Sequence, residues 1–226
     1  MCGRVVVASP LDVLAGYFGV VEVVAPDRPP SWNVAPGAEL LAVAGTPSGR
    51  RMGTMRWGLV PSWSNHPSAG PRPINARVET LLDKVVFGEA LARRRCLVVV
   101  DGFYEWRRPP GGAKQPYFLD AGDASGAPLA LAGLWDRNRG EVSCAVVTGP
   151  AAAGLGWLHH RMPIRLGRNR WDEWLDPGNH HVEGLLALLR EPSAVPLRAR
   201  PVATLVNSAR NDGPELVTVL PGEVQR

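Results

Sequence analysis

Residues 96–106 read Cys96-Leu97-Val98-Val99-Val100-Asp101-Gly102-Phe103-Tyr104-Glu105-Trp106. Five apolar residues, three of them β-branched, end at an Asp-Gly pair. A run this short, closed by turn residues, predicts a strand. The same signature recurs at Leu40–Val43, Thr54–Leu59, Tyr117–Leu119, Leu129–Leu134 and Ser143–Val147. Helical spacing appears at Pro10–Phe18, with Ser9 placed to cap it, and at Val78–Leu82, Val86–Arg94, Arg170–Leu175 and His181–Arg190. Asp176-Pro177-Gly178 stops the fourth of these. The helices do not alternate regularly with the strands, which argues against a doubly wound parallel sheet. The expected architecture is one α+β domain over residues 1–226, with a mixed, barrel-like sheet core and flanking helices.

At 226 residues the chain can bury a sizeable core. Its 25 Gly and 22 Pro are spread along the chain, not pooled in a linker. Two loops stand out, Ser64–Pro73 and Arg107–Lys114, and neither is long enough to separate domains. No apolar run reaches the roughly 18–20 residues of a membrane helix, since Asp12, Gly16, Gly19 and Glu22 interrupt the nearest one. The amino terminus lacks a basic stretch followed by an apolar one, so a cytoplasmic protein without membrane contact is expected. Net charge is +4, carried almost entirely by arginine, which permits nucleic-acid binding without demanding it. The cysteines, Cys2, Cys96 and Cys144, are odd in number and far apart, against a disulfide framework or a zinc site. Cys96 and Cys144 lie in apolar runs and read as packing residues.

Cys2 reads differently. The chain begins Met1-Cys2-Gly3-Arg4, so removal of Met1 would expose a 1,2-aminothiol. The amine titrates at about 7.7–8.0 and the thiol at about 8.5, so both are partly deprotonated near neutrality. Such a terminus attacks an aldehyde with its amine, giving a Schiff base, and closes a thiazolidine ring with its thiol. Many chains carry Cys at position 2 without any role, and the residue alone does not decide between these readings.

Four further segments set polar or aromatic residues against apolar strands. They are Trp57-Gly58-Leu59-Val60-Pro61-Ser62-Trp63, Asn75-Ala76-Arg77-Val78-Glu79-Thr80, Asp101-Gly102-Phe103-Tyr104-Glu105-Trp106 and His159-His160-Arg161-Met162-Pro163. With the amino-terminal segment, in this order, they resemble the SOS-response-associated peptidase (SRAP) family. Asn33-Val34-Ala35-Pro36, Arg95-Cys96-Leu97, Leu131-Ala132-Gly133-Leu134-Trp135 and Pro201-Val202 with Val206-Asn207 extend the resemblance over nearly the whole chain. It implies the family's fold and capture of abasic sites in single-stranded DNA. The ring-opened form of an abasic site is an aldehyde, the electrophile that an aminothiol prefers.

By that resemblance Cys2, Asn75, Glu105 and His159 are the catalytic residues. An Asn75 amide can orient the amine or the sugar hydroxyl, while the residue by itself reads equally as a turn or cap. Glu105 among aromatics suits acid–base work through a raised pKa, but it also suits a surface pair with Arg107 or Arg108. A neutral His159 can move a proton, and its neighbour His160 stands where relatives more often have an acid or amide. Gly149 stands where relatives often have a second Thr, removing a hydroxyl. Arg4, Arg77 and Arg161 are the implied phosphate contacts. Trp57, Trp63 and Trp106 are candidate stacking surfaces, although tryptophan is more often core. Pro36, Trp135, Pro163 and Asn207 read as scaffold.

No metal or organic cofactor is expected, for there is neither Cys/His ligand spacing nor a phosphate-binding glycine loop. The expected partner is single-stranded DNA containing abasic sites, met by a monomer at damaged or replicating DNA in the nucleoid. Autocatalytic removal of Met1 and strand-cleaving lyase chemistry accompany that reading. Two alternatives have other signatures. An amidase with Cys2 as amino-terminal nucleophile would hydrolyse glutamine. A non-covalent single-strand binder would give no product that survives denaturation.

Overall fold

The computed structural model describes residues 2–65, 70, 72–122, 126–191, 193 and 195–221. The strands among them are β1 (Val5–Val7), β2 (Val20–Val23), β3 (Ser31–Val34), β4 (Glu39–Thr46), β5 (Gly49–Trp57), β6 (Asn75–Arg77), β7 (Arg95–Val100), β8 (Gly102–Arg107), β9 (Gln115–Ala121), β10 (Leu129–Asn138), β11 (Glu141–Pro150), β12 (Arg161–Pro163) and β13 (Leu197–Pro201). The α-helices are α1 (Leu11–Phe18), α2 (Val85–Arg93), α3 (Trp171–Leu175) and α4 (Val182–Arg190). None is long and apolar enough to cross a membrane.

Two sheets organise these elements. The larger runs β12-β11-β10-β7-β4-β5-β2, and β11 also pairs in parallel with β5, closing a five-strand ring of β11, β10, β7, β4 and β5. Closure removes the edges that an open sheet would expose. All six residues of β7 are buried, in keeping with its place at the centre of that sheet. The smaller sheet is antiparallel, in the order β13-β9-β8-β1-β3. The expected α+β fold with a mixed, barrel-like sheet is the one observed.

Alternation along β8 divides the interior. Phe103 packs into the main core, while Tyr104 on the opposite face joins a second cluster with Val6, Phe118, Val202, Val206 and Leu216. Full burial of one such large side chain contributes about 1.5–3 kcal/mol. Gly102 permits the approach of β9, since a Cβ there would lie 2.4 Å from Phe118 Cζ and 2.5 Å from the Leu119 carbonyl oxygen.

The turn between β7 and β8 holds the amino-terminal strand. The Asp101 carboxylate accepts hydrogen bonds from Ala8 N (2.6 Å), Ser9 N (2.9 Å) and Ser9 Oγ (2.5 Å), while Asp101 N donates to Val6 O (2.8 Å). Ser9 therefore serves Asp101 and does not cap α1, and Pro10 occupies the N-cap position. The strand expected at Thr54–Leu59 ends at Trp57, because Gly58 adopts φ +134° and turns the chain. Val78–Leu82 forms only a 3₁₀ turn over Val78–Thr80. Part of the Ser64–Pro73 loop lies outside the described residues.

Candidate active site

The site is assembled where the amino-terminal segment runs beside β8 and meets β6. β1 pairs with β8 in the register Val5↔Phe103 and Val6↔Gly102. Tyr104 N donates to Arg4 O at 3.0 Å, so the pairing continues backwards and brings Gly3 and Cys2 alongside Glu105. β6 pairs in parallel with β11, with Asn75 opposite Val146 and Arg77 opposite Thr148. Asn75 thus occupies a short strand, not a turn, and its Nδ2 donates to Cys2 O at 2.8 Å. Its Oδ1 is buried without a hydrogen-bond partner among the described residues.

Cys2 is fully buried and its Sγ–H points to Arg4 O at 4.0 Å. Burial, and then the negative charge of Glu105, push its thiol far above the ordinary range. Glu105 is 2% exposed and lies opposite Tyr117, on whose ring Trp157 packs edge-on at 5.0 Å. Burial raises the Glu105 carboxyl, against the opposing positive charges of the amino terminus and Lys114. At neutral pH it therefore holds a proton more readily than a surface glutamate, as a general acid needs.

His159 is half-buried, with Nδ1 3.0 Å from both the backbone N and O of Arg161. Burial lowers its pKa, and the charge of the amino terminus adds to that, so the ring is neutral near pH 7. His160 stacks on it with 4.5 Å between centroids and 20° between planes. Glu105, His159 and His160 line a cavity of about 390 Å³ with Trp106, Arg108, Lys114, Trp157 and Leu158. Cys2 and Asn75 are not part of that lining.

The remaining sequence candidates separate. Arg4 is tied inward, donating to Asn33 Oδ1 and Val206 O at 2.7 Å each and to Asn207 O at 3.4 Å. Arg161 forms a forked pair with Glu79 (2.8 and 2.9 Å) and donates to Thr148 O (2.8 Å). Arg77 is exposed at the end of β6. Trp63 is 57% exposed and available for stacking. Trp106 faces the cavity, anchored by a 2.7 Å bond to Asn207 Oδ1 and covered by the Lys114 ammonium 5.1 Å from its ring. Trp57 is corrected to a core residue: it is 1% exposed, donates to Ile74 O at 2.9 Å, and offers no stacking face.

Arg108 was named only as a surface partner for Glu105, and Lys114 and Trp157 were not singled out, because the Pro109-Pro110-Gly111-Gly112 context read only as loop. Among the described residues no group of three or more His, Cys, Asp or Glu is placed to hold a metal ion.

A family model described as SOS response associated peptidase (SRAP) matches residues 1–209. The chain belongs to that family. The abasic site processing protein YoaM of Bacillus subtilis (strain 168) is 34% identical over 223 residues, covering 96% of this chain and 97% of that protein. The abasic site processing protein HMCES of Xenopus tropicalis is 34% identical over 199 residues, 76% of this chain and 58% of its own length. The solved structure of a Bacteroides thetaiotaomicron protein superimposes with a TM-score of 0.82 over 97% of this chain and 100% of that one, at 21% identity, a likeness of fold. A phage-related protein of Bordetella bronchiseptica matches with a TM-score of 0.70 at 28% identity, covering 89% and 94%.

Proposed function

We propose that this chain processes abasic sites in single-stranded DNA, capturing the ring-opened sugar covalently through Cys2 once Met1 has been removed. The observation that carries the reading is the meeting of Cys2, Asn75 and Glu105, from three separate segments, beside a cavity walled by His159. The printed names of the relatives, abasic site processing proteins, support the same substrate.

The chemistry follows from the groups present. A protonated Glu105 donates to the sugar ring oxygen while the C1′ hydroxyl gives its proton to neutral His159, and the ring opens to the C1′ aldehyde. The Cys2 amine adds to that carbonyl, the protonated His159 returns its proton to the carbinolamine hydroxyl, and loss of one water gives an iminium. The Cys2 thiol then adds to the iminium carbon and its proton passes to a base, the Glu105 carboxylate or neutral His159. The sum is aldehyde plus aminothiol giving thiazolidine plus water. Since burial and Glu105 both disfavour the thiolate, the Schiff base forms first. Its positive charge then favours thiolate attack, as an adjacent cation lowers a thiol pKa. Asn75 holds the Cys2 carbonyl and so aims the amine. Should the thiol fail to close the ring, the iminium acidifies C2′ and β-elimination cleaves the strand, the lyase outcome.

Trp63 and Trp106 offer faces for the flanking bases, and Arg77 an exposed cation for a phosphate. Arg4 and Arg161 can reach phosphate only by sharing or giving up their present partners.

The test is a denaturing gel of protein whose amino terminus has been confirmed by mass, mixed with a single-stranded oligonucleotide carrying one abasic site. A shifted band with wild type, absent with Cys2→Ala and with undamaged DNA, is the expected result. A free Cys2 terminus that gives no such band sinks the reading. Glutamine hydrolysis would then favour the amidase alternative. Intact mass of Cys2→Ala also reports on Met1, since autocatalytic removal requires the missing thiol.

A further inference from the structure

Arg165 lies in the segment after β12, where Ala132 N donates to Ile164 O and Leu166 N donates to Ala130 O. Its backbone is thereby locked into a bridge with Leu131, and its side chain is 5% exposed. A guanidinium has five N–H donors. Among the described residues Arg165 uses one in a hydrogen bond, from Nη2 to Val195 O at 3.2 Å, and its Nε is buried without a partner there. Burial holds its pKa down, to about 10.

The same molecule shows how a structural buried arginine is treated. Arg95 is 4% exposed and donates to five carbonyls, of Leu91, Ala92, Trp174, Asp176 and Asn179, at 2.6–2.9 Å. Those bonds tie the end of α2 to α3 and the turn after it. Among the described residues Arg165 ties one carbonyl, and a buried cation without compensating partners is costly to keep.

What distinguishes Arg165 is that it lines a cavity of about 440 Å³. The wall is apolar at Ile164, Leu189 and Pro150, and polar at Arg190 and Ser193. Two carboxylates also reach it, and both are neutralised elsewhere: Glu79 pairs with Arg161 at 2.8 Å and Glu191 with Arg170 at 2.8 Å. The cavity therefore presents a forked cation with unused donors, a second arginine and a hydroxyl, beside apolar walls. We propose that this cavity is a second binding site, separate from the Cys2 site, and that it takes a phosphate group through Arg165. Phosphate matches the guanidinium fork in a bidentate way and supplies the missing charge. The group comes either from a phosphodiester of a bound strand or from a free phosphorylated molecule. None of this depends on the aminothiol chemistry.

Thermal unfolding of the intact chain, at constant ionic strength set with chloride, tests the site with inorganic phosphate. At ten times its Kd, phosphate raises the wild-type midpoint by roughly 3–6 °C and leaves Arg165→Met unmoved. Without phosphate, Arg165→Met unfolds at or above the wild-type temperature, because it removes a buried charge that lacks a partner. Arg165→Lys keeps the charge, loses the fork and responds more weakly. An undamaged single-stranded oligonucleotide separates the two sources. If strand phosphate occupies the site, Arg165→Met lowers the salt slope of binding by about 0.7. Unchanged slopes alongside a retained phosphate response assign the site to a free phosphorylated molecule. Equal phosphate responses in wild type and Arg165→Met, or no response in either, would overturn the proposal. So would an Arg165→Met chain that fails to fold, which would make the arginine structural.

Discussion

Cys2 lies at the seam between the amino-terminal segment, β6 and β8; Cys96 and Cys144 lie inside the closed ring of strands. All three are fully buried. Burial pushes the Cys144 thiol up to about 12 and that of Cys96 well above its ordinary value, with Cys144 adding to the effect. Cys96 packs against β10 so closely that a Cβ on Gly133 would lie 2.8 Å from its sulfur. These two thiols lie in the apolar core, close enough for Cys144 to be felt electrostatically at Cys96. Cys2 instead meets an amide from β6 and a carboxyl from β8. Burial makes a thiol inert; reactivity requires that polar groups be buried with it, at a cost in desolvation. Asn75 Oδ1, without a partner among the described residues, and the raised Glu105 record that cost.

The largest expected effect breaks the comparison outright. Cys2→Ala abolishes the covalent product on abasic DNA, while Cys96→Ala and Cys144→Ala retain it; a band with Cys2→Ala would place the nucleophile elsewhere. Glu105→Gln comes next, slowing capture by about 10²–10⁴-fold, the range for loss of a general acid or base. The same variant tests the desolvation. The folded state binds the Glu105 proton more tightly than the unfolded chain, so the associated stability is fully present below the ordinary value of 4.5 and is lost as pH rises through the raised folded value. The difference in melting temperature, Glu105→Gln minus wild type, should accordingly grow from acid to neutral pH. A difference that shrinks would contradict a raised carboxyl.

Asn75→Ala removes the 2.8 Å bond to the Cys2 carbonyl and should slow capture by about tenfold, the equivalent of one hydrogen bond of ~1.4 kcal/mol. Single-turnover rates on a saturating oligonucleotide measure it; an unchanged rate would leave Asn75 a scaffold residue. A smaller effect concerns His159. Its neutral form accepts protons, so the rate falls as pH drops through a folded pKa below 6.5, set first by burial and in lesser part by His160. His160→Asn should move that limb up towards 6.5 without changing the plateau. Smallest is Cys96→Ala, which costs about 1 kcal/mol, or roughly 2–4 °C, with capture unchanged. Comparable slowing by Cys96→Ala would erase the contrast between the two interiors.

Much of this was legible in the chain, and unevenly. The six apolar runs were read as strands because they are short, branched and closed by Gly, Pro or Asp. β1, β2 and β3 were missed, although Val5–Val7 is apolar and Val20–Val23 carries three valines around Glu22, because each abuts a helix or a proline-rich stretch that obscures its period. β6 escaped because three residues carry no periodicity, and what makes Asn75-Ala76-Arg77 a strand is β11 beside it. The site residues were named through motifs in a family order. For Trp57 the motif misled, since an indole N–H satisfied by Ile74 O is a core arrangement that sequence does not distinguish from a stacking surface. Arg108, Lys114 and Trp157 are site neighbours only because the loop after β8 folds against the segment before His159.

By itself the sequence determined the place of Cys2 directly after Met1, the strand-rich composition and the presence of residue types suited to acid–base work. Those are local facts, set by covalent structure and by patterns a few residues long. Tertiary structure decided which polar residues share a site. Asn75 and Glu105 reach Cys2 through a parallel pairing with β11 and an antiparallel pairing with β1, across separations of 73 and about 100 residues that no local pattern encodes. It also decided the fates of two buried arginines: Arg95 turned towards five carbonyls, and Arg165 towards a cavity. The reason is that desolvation is a property of the surroundings, and the surroundings exist only once the chain has folded.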